Sequence, residues 1–96
     1  VPVYCDQSYH MYYLLLPSLT ARTAFIDYLK VKQIQSVFHY LPLHTSQMGE
    51  QYGWHMGDCP VTEAVSDRLV RLPFHHALTE VELARIVETI HHFDQW

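Results

Sequence analysis

Three short apolar segments, each stopped by a proline, constrain the fold of this chain more than any other feature. These segments cover residues 9–16, 34–40 and 69–73, and they are rich in aromatic, branched and aliphatic side chains. Such composition is typical of strands. Because proline lacks a backbone N–H and cannot continue a central ladder, each segment predicts one short strand. The chain is therefore expected to build a small sheet of about three strands.

Amphipathic segments between these runs predict helices. The first helix is expected over residues 21–33, where Ser18 or Thr20 can cap it and apolar side chains fall at helical spacing. The second is expected to begin after Asp58, which can cap it, with Pro60 in its first turn. Both helices would then lie between strands in the sequence.

The final helix has the clearest boundary, because residues 79–82 form a capping box. The Thr79 hydroxyl can accept a free backbone N–H, and Glu82 can reach back to the N–H of Thr79. Acidic residues at the start of this helix and histidines at its end match the helix dipole. One apolar stripe follows the box and comprises Leu83, Ile86, Val87, Ile90 and Phe93.

The predicted order of elements is β-α-β-loop-α-β-α, within one domain of 96 residues. Residues 1–8 are expected to form an incoming linker. An α/β (α+β) fold, in which about three strands are covered mainly on one face by three helices, is the simplest way to bury the apolar stripes. Residues 43–57 are predicted to form a long loop, and long ordered loops in small domains are often functional.

Composition narrows the classes of function. An apolar share of 49% and a formal charge of −4 are typical of a soluble globular domain. Six Lys and Arg residues without a run give no electrostatic footprint for nucleic acid. The longest apolar run, residues 11–16, is too short to span a membrane. The two cysteines are too few for a disulfide framework, and we expect them to be reduced in a cytoplasmic protein.

The histidines do not have the spacing of a metal site. His55 and Cys59 are four residues apart, but a glycine and a proline beside them disfavour a continuous helix. The adjacent pairs at 75–76 and 91–92 point apart on any regular element. We therefore predict no metal site. Cys59 at a helix N-terminus with His55 as a base is a possible nucleophile, although a half-buried structural cysteine is the favoured interpretation.

Polar side chains also occur at the predicted strands. His10 lies on the first strand, Tyr40 and His44 follow the second, and Arg71 lies on the third. If the strands are neighbours, these side chains could meet at one rim and bind a polar ligand. Spacing alone favours the alternative that they are solvated surface groups.

Four segments of the chain carry a resemblance to a known family. They are His-Met-Tyr-Tyr at 10–13, the Arg22 to Lys30 helix segment, the string at 36–44 that ends Tyr-Leu-Pro-Leu-His, and Arg-Leu-Pro-Phe at 71–74. Together they resemble the C-terminal part of the DegT/DnrJ-type nucleotide-sugar aminotransferases, in the branch of the TDP-4-keto-6-deoxyglucose transaminases. The resemblance extends over residues 3–93, and the string that ends at His44 is its most specific part.

The resemblance implies the type I aminotransferase fold, which has a large domain that carries pyridoxal phosphate (PLP) and a small C-terminal α/β domain. Residues 1–96 correspond to the small domain. The parent enzyme would move an amino group, typically from glutamate, to a nucleotide-linked keto-deoxy sugar for polysaccharide biosynthesis. Lys30 and Lys32 match no PLP-lysine motif, so no catalytic or cofactor-binding residue is expected here and the isolated chain should be inactive.

By the same resemblance, the small domain would form one wall of the substrate cleft. Tyr40, His44, His10 and Arg71 are the candidate substrate-binding residues. The implied partners are the large PLP-binding domain and the nucleotide sugar, with neither nucleic acid nor membrane. Since loss of the large domain would expose the apolar strand at 12–16, we predict that the isolated chain self-associates. The alternative is a free-standing α/β module that binds a partner or small molecule and lacks a catalytic half.

Overall fold

The computed structural model describes residues 1–96, and an open antiparallel sheet lies at its centre. The sheet contains β1 (Tyr13–Leu15), β2 (Val37–Phe38) and β3 (Leu69–Arg71). Its order is β1-β3-β2, so that the last strand in the sequence is the middle strand of the sheet. The three predicted strands are confirmed, and each is shorter than its apolar run. β3 has only three residues, which limits how much of either neighbour can join the ladder.

The register of the sheet decides which side chains face the helices. Val70 lies opposite both Leu14 and Phe38. Since directly opposite residues point to the same face, these three side chains share one face of the sheet. Arg71 lies opposite Tyr13 and Val37 and shares the other face with them. Tyr13 and Val37 are exposed on that second face.

Four helices accompany the sheet: α1 (Leu19–Val31), α2 (Gln47–Gln51), α3 (Pro60–Arg68) and α4 (Glu80–His91). Ser18 caps α1, because its hydroxyl accepts the backbone N–H of Ala21 at 3.1 Å. The predicted capping box of α4 is confirmed, with both the Thr79 and the Glu82 hydrogen bonds present. The capping box fixed the start of α4 from sequence alone, whereas α1 begins at Leu19, two residues before the predicted Ala21.

Two expectations for the middle of the chain were wrong. The segment predicted as loop contains a 3-10 turn at Leu43–Thr45 and the short helix α2. Asp58 does not cap the helix that follows, because α3 begins at Pro60 and its N-cap is Cys59. Asp58 lies one residue too early, and its carboxylate instead accepts the backbone N–H of His55 at 2.8 Å.

The hydrophobic core lies between the sheet, α1 and α4. Phe25 is fully buried, and its ring meets that of Phe93 edge-on, with 5.0 Å between the ring centroids. Trp96 packs against the same ring at 5.4 Å. The helices therefore cover mainly one face of the sheet, as predicted. The core consists of Leu16, Ala21, Phe25, Leu29, Ile34, Val70, Ile86 and Phe93.

The apolar stripe of α4 is only partly buried. Ile86 and Phe93 belong to the core, but Leu83 and Val87 are 50% and 44% exposed. They line an open apolar groove of about 620 Å³ that continues to Tyr12, the residue before β1. The chain thus leaves a sizeable apolar surface in contact with water. No helix in the structure is both long and apolar enough to cross a membrane.

Candidate ligand-binding site

The segment that follows β2 packs on α3 and buries an imidazole. Ser46 caps α2 by accepting the backbone N–H of Gly49 at 3.0 Å, which holds α2 close to the preceding turn at Leu43–Thr45. His44 lies in that turn and is only 8% exposed. Its Nε2 lies 2.7 Å from Oε1 of Glu63 on α3. A buried ring nitrogen is therefore paired, as buried polar groups usually are.

One carboxylate oxygen holds both ends of this segment. Oε1 of Glu63 accepts Nε2–H of His44 and also the backbone N–H of Gly57, each at 2.7 Å. These hydrogen bonds, that of His44 first, lower the pKa of the Glu63 carboxyl because they stabilise its charged form. Glu63 consequently fastens residues 44–57 to α3 as a closed loop, which we call the His44 loop.

We expect the contribution of Glu63 to stability to disappear in acid. Because the pKa of Glu63 is lowered in the folded chain, its contribution is complete above the ordinary carboxyl pKa and is lost as the pH falls through the folded value. Thermal unfolding of the wild type and of Glu63→Gln, followed from neutral to acid pH, should show a difference in Tm that shrinks towards low pH.

The exposed Glu50 of α2 provides a control for this experiment, since Glu50→Gln should leave the Tm unchanged. His44 contacts the carboxylate of Glu63, which the backbone N–H of Cys59 also stabilises. His55 pairs with Asp58. These groups are present in the wild type and in both variants. A Tm difference that remains constant down to acid pH would contradict the role of the Glu63 charge.

The structure brings two of the four residues predicted as a site into contact. Cζ of Arg71 lies 5.5 Å from the centroid of the Tyr40 ring, within the range of a cation–π interaction. Arg71 has no carboxylate partner, because both ion pairs of the chain involve histidines. Its Nε is buried and has no hydrogen-bond partner. Tyr40 is 74% exposed and Arg71 is half-buried beside it, so the pair lies at the surface of the domain.

The other two predicted residues have different partners. His44 is held by Glu63, and Nδ1 of the exposed His10 lies 2.8 Å from the Ser8 hydroxyl. No hydrogen bond, ion pair or ring contact joins either histidine to the Tyr40–Arg71 pair. Side-chain contacts within the chain therefore group these residues into one pair and two separate histidines.

A cavity of about 360 Å³ opens beside the buried imidazole. His44 and Cys59 line it together with Tyr52 and Trp54, both of which are exposed aromatic side chains. Aromatic faces and a few polar groups in a concave site are typical of small-molecule binding. This arrangement can hold a ring-shaped polar ligand.

No hydrogen bond joins Cys59 to His55. His55 does not line the cavity, and its Nδ1 lies 3.1 Å from Oδ1 of Asp58. The structure thus gives no support to the hypothesis of a Cys59–His55 nucleophile. No group of three or more His, Cys, Asp or Glu side chains lies close enough together to hold a metal ion.

The residues of this chain do not fit PLP. The cofactor needs a lysine, a partner for the pyridine nitrogen and a phosphate-binding turn. Lys30 lies in the last turn of α1 and Lys32 is its C-cap, and both are exposed. The end of a helix where these lysines lie carries partial negative charge and free carbonyls, whereas phosphate binds at the opposite, N-terminal end.

Sequence reasoning missed Glu63. Its only signal was an acidic residue in the first turn of a helix, which the helix dipole already explains. The contact with His44 spans 19 residues and depends on how the His44 loop folds back. No local pattern reports such a contact.

The fold and the site define a small mixed α/β domain that presents imidazole, phenol and guanidinium groups without a complete catalytic set. A sequence model of the DegT/DnrJ/EryC1/StrS aminotransferase family matches residues 2–91. The chain belongs to this family, as its resemblance predicted.

Individual relatives agree with this assignment. The dTDP-3-amino-3,6-dideoxy-alpha-D-galactopyranose transaminase of Aneurinibacillus thermoaerophilus is 27% identical over 94 residues, which cover 97% of this chain and 25% of the relative. A DegT DnrJ EryC1 StrS aminotransferase from Brucella abortus is similar in structure, with a TM-score of 0.80, 26% identity, and coverage of 97% of this chain and 24% of that one.

A third relative has also been solved with its cofactor. Spr1654 of Streptococcus pneumoniae, a proposed sugar aminotransferase, matches in its apo form with a TM-score of 0.76 and 30% identity, over 83% of this chain and 21% of that one. Its PLP form matches with a TM-score of 0.75. The chain spans about a quarter of the length of these relatives.

Proposed function

We propose that this chain is the small C-terminal domain of a PLP-dependent sugar aminotransferase and supplies one wall of its substrate cleft. The parent enzyme would transfer an amino group to a nucleotide-linked keto-deoxy sugar. Family membership supports the class of reaction. The chain matches only about a quarter of each relative. In the proposed enzyme, a separate large domain would therefore provide the PLP lysine and the phosphate-binding turn.

The Tyr40–Arg71 pair is the observation that carries the proposal. A guanidinium without a carboxylate partner is complementary to phosphate, which it can bind through two parallel hydrogen bonds. The Tyr40 ring beside it is exposed and offers both a flat apolar face and a hydroxyl. His10 and His44 would contribute further hydrogen bonds to sugar hydroxyls or phosphate.

Binding of dTDP-glucose, followed by amide chemical shifts of the chain, tests this proposal. Arg71→Gln should weaken the affinity by roughly ten- to a hundredfold, because a charge-assisted hydrogen bond contributes roughly 1.5–3 kcal/mol. Arg85→Gln is the matched control, since Arg85 is exposed on α4 and should not contact the ligand. An affinity that Arg71→Gln leaves unchanged, or shifts confined to other surfaces, would refute the assignment of this wall.

We predict that the chain alone forms no amino sugar when it is given PLP, glutamate and a dTDP-linked keto sugar. Neither of its lysines lies in a site that fits the cofactor. Product analysis by mass spectrometry is the measurement, with a complete member of the family as the positive control. Turnover by the chain alone would overturn the proposal.

The reading frame upstream of Val1 distinguishes a domain of a transaminase from a free-standing module. Only the domain of a transaminase requires a PLP-binding partner, so a PLP-binding domain encoded upstream would support the proposal.

The isolated chain should self-associate through the apolar groove between α4 and β1. Leu83 lines this groove and is half exposed, and Tyr12 extends the apolar surface. Sedimentation velocity at increasing concentration should show dimers or larger species. Leu83→Glu should restore a monomer, because a charge in the groove opposes its burial.

Val81→Glu is the matched control for this variant. Val81 lies on the same helix and is 81% exposed, but it does not line the groove. A wild-type chain that sediments as a monomer at high concentration would contradict the prediction.

A further inference from the structure

The contact between Glu63 and His44 constrains the protons of the imidazole as well as its position. An ionised carboxylate can only accept hydrogen bonds, so Nε2 of His44 must carry a proton to make the 2.7 Å contact. In the neutral ring, the other nitrogen, Nδ1, then holds a lone pair. Nδ1 makes no hydrogen bond with any group of the chain, and His44 is one of the residues that line the cavity of about 360 Å³.

The second hydrogen bond of the same oxygen makes Glu63 a rigid support. Gly57 donates its backbone N–H to Oε1 at 2.7 Å, so the carboxylate cannot turn without breaking contacts at both ends of the His44 loop. The side chain of Glu63 is 19% exposed, which limits competition from water. An imidazole oriented by a carboxylate on its far nitrogen is a general way to fix one tautomer.

We propose that Glu63 is a positioning residue that makes Nδ1 of His44 a hydrogen-bond acceptor for a hydroxyl group of a sugar ring. Tyr52 and Trp54 at the cavity would receive the apolar face of that ring. The identity of the ligand as a sugar rests on the proposed function. The fixed tautomer rests only on the geometry of Glu63, His44 and Gly57.

The tautomer can be measured directly on the whole chain labelled with ¹⁵N-histidine. Long-range ¹H–¹⁵N spectra at mildly alkaline pH should show His44 protonated at Nε2 alone. Glu63→Gln should keep this tautomer, because the amide oxygen still accepts Nε2–H. Glu63→Ala should release it, so that both tautomers exchange, and should raise the exchange rate of the Gly57 amide by about tenfold.

Glu50→Ala is the control and should change neither signal. The wild-type spectrum decides the matter even if Glu63→Ala fails to fold, because a His44 ring protonated at Nδ1 would overturn the inference. A tautomer that is the same in the wild type and in folded Glu63→Ala would overturn it equally.

Binding of dTDP-glucose tests the ligand half of the inference. Glu63→Ala should weaken the affinity by about tenfold and Glu63→Gln by less than about threefold. An affinity unchanged by Glu63→Ala overturns the role of His44 towards the sugar. The proposed function fails by a different result, namely unchanged binding in Arg71→Gln, so the two failures are distinguishable.

Discussion

Phe25→Ala is expected to leave most of the chain unfolded or barely folded at room temperature. The Phe25 side chain is fully buried and packs edge-on against Phe93, with Trp96 on another side. Removing a buried Phe side chain typically costs about 3–5 kcal/mol, because it forfeits the transfer energy and leaves a cavity. The total free energy of unfolding of a domain is roughly 5–15 kcal/mol, and values near the lower limit are expected for domains with small cores.

Urea denaturation followed by circular dichroism measures this loss. Phe74→Ala is the matched control, since the same atoms are removed from a side chain that is 55% exposed. It should cost less than about 1 kcal/mol, as surface substitutions usually do. Equal denaturation midpoints for the two variants would show that the core is not centred on Phe25.

Gly49→Ala should destabilise the chain and detach the His44 loop, although helix propensity alone predicts the opposite. Gly49 lies within α2, where alanine is normally favoured by about 1 kcal/mol. A Cβ at this position would overlap the carbonyl oxygen of Leu43 and lie 3.0 Å from Cα of His44. Both neighbours are backbone atoms, so α2 must move away from the turn that holds His44. Overpacking of this kind typically costs about 1–3 kcal/mol.

Helix propensity and steric overlap predict opposite changes in the stability of Gly49→Ala, so the measured change distinguishes between them. Hydrogen exchange should show faster exchange of the Gly57 amide, because the shift reaches His44 and through it Glu63. Met48→Ala, at the adjacent exposed position of α2, should leave both stability and exchange almost unchanged. A Gly49→Ala variant more stable than the wild type would mean that α2 does not press against the turn.

Elements set by neighbouring residues were predictable from sequence. The capping box at Thr79 and Glu82 placed the start of α4, because both of its hydrogen bonds close within three residues. Ser18 was one of two candidates for the cap of α1 for the same reason. The proline after each apolar run limited the strands, since proline cannot continue a ladder. The cap of α3 was placed wrongly because Asp58 and Cys59 are adjacent and only the folded backbone distinguishes them.

The candidate site was predictable only in part. Tyr40 and Arg71 lie beside one another in the structure, because Tyr40 follows β2 and Arg71 lies on the neighbouring strand β3. The separation of His44 from this pair was not foreseen. The sequence showed an isolated imidazole at the end of a Pro-stiffened string, and only the packing of α3 supplied its carboxylate partner.

The sequence by itself determined the number of strands, the start of α4, and the family to which the chain belongs. These properties depend on residues close together in the chain, or on strings long enough to be specific. The tertiary structure decided that β3 is the central strand, that Glu63 holds His44, and that the α4 stripe stays half exposed. Each of these depends on contacts between distant segments, whose geometry is set when the whole core packs.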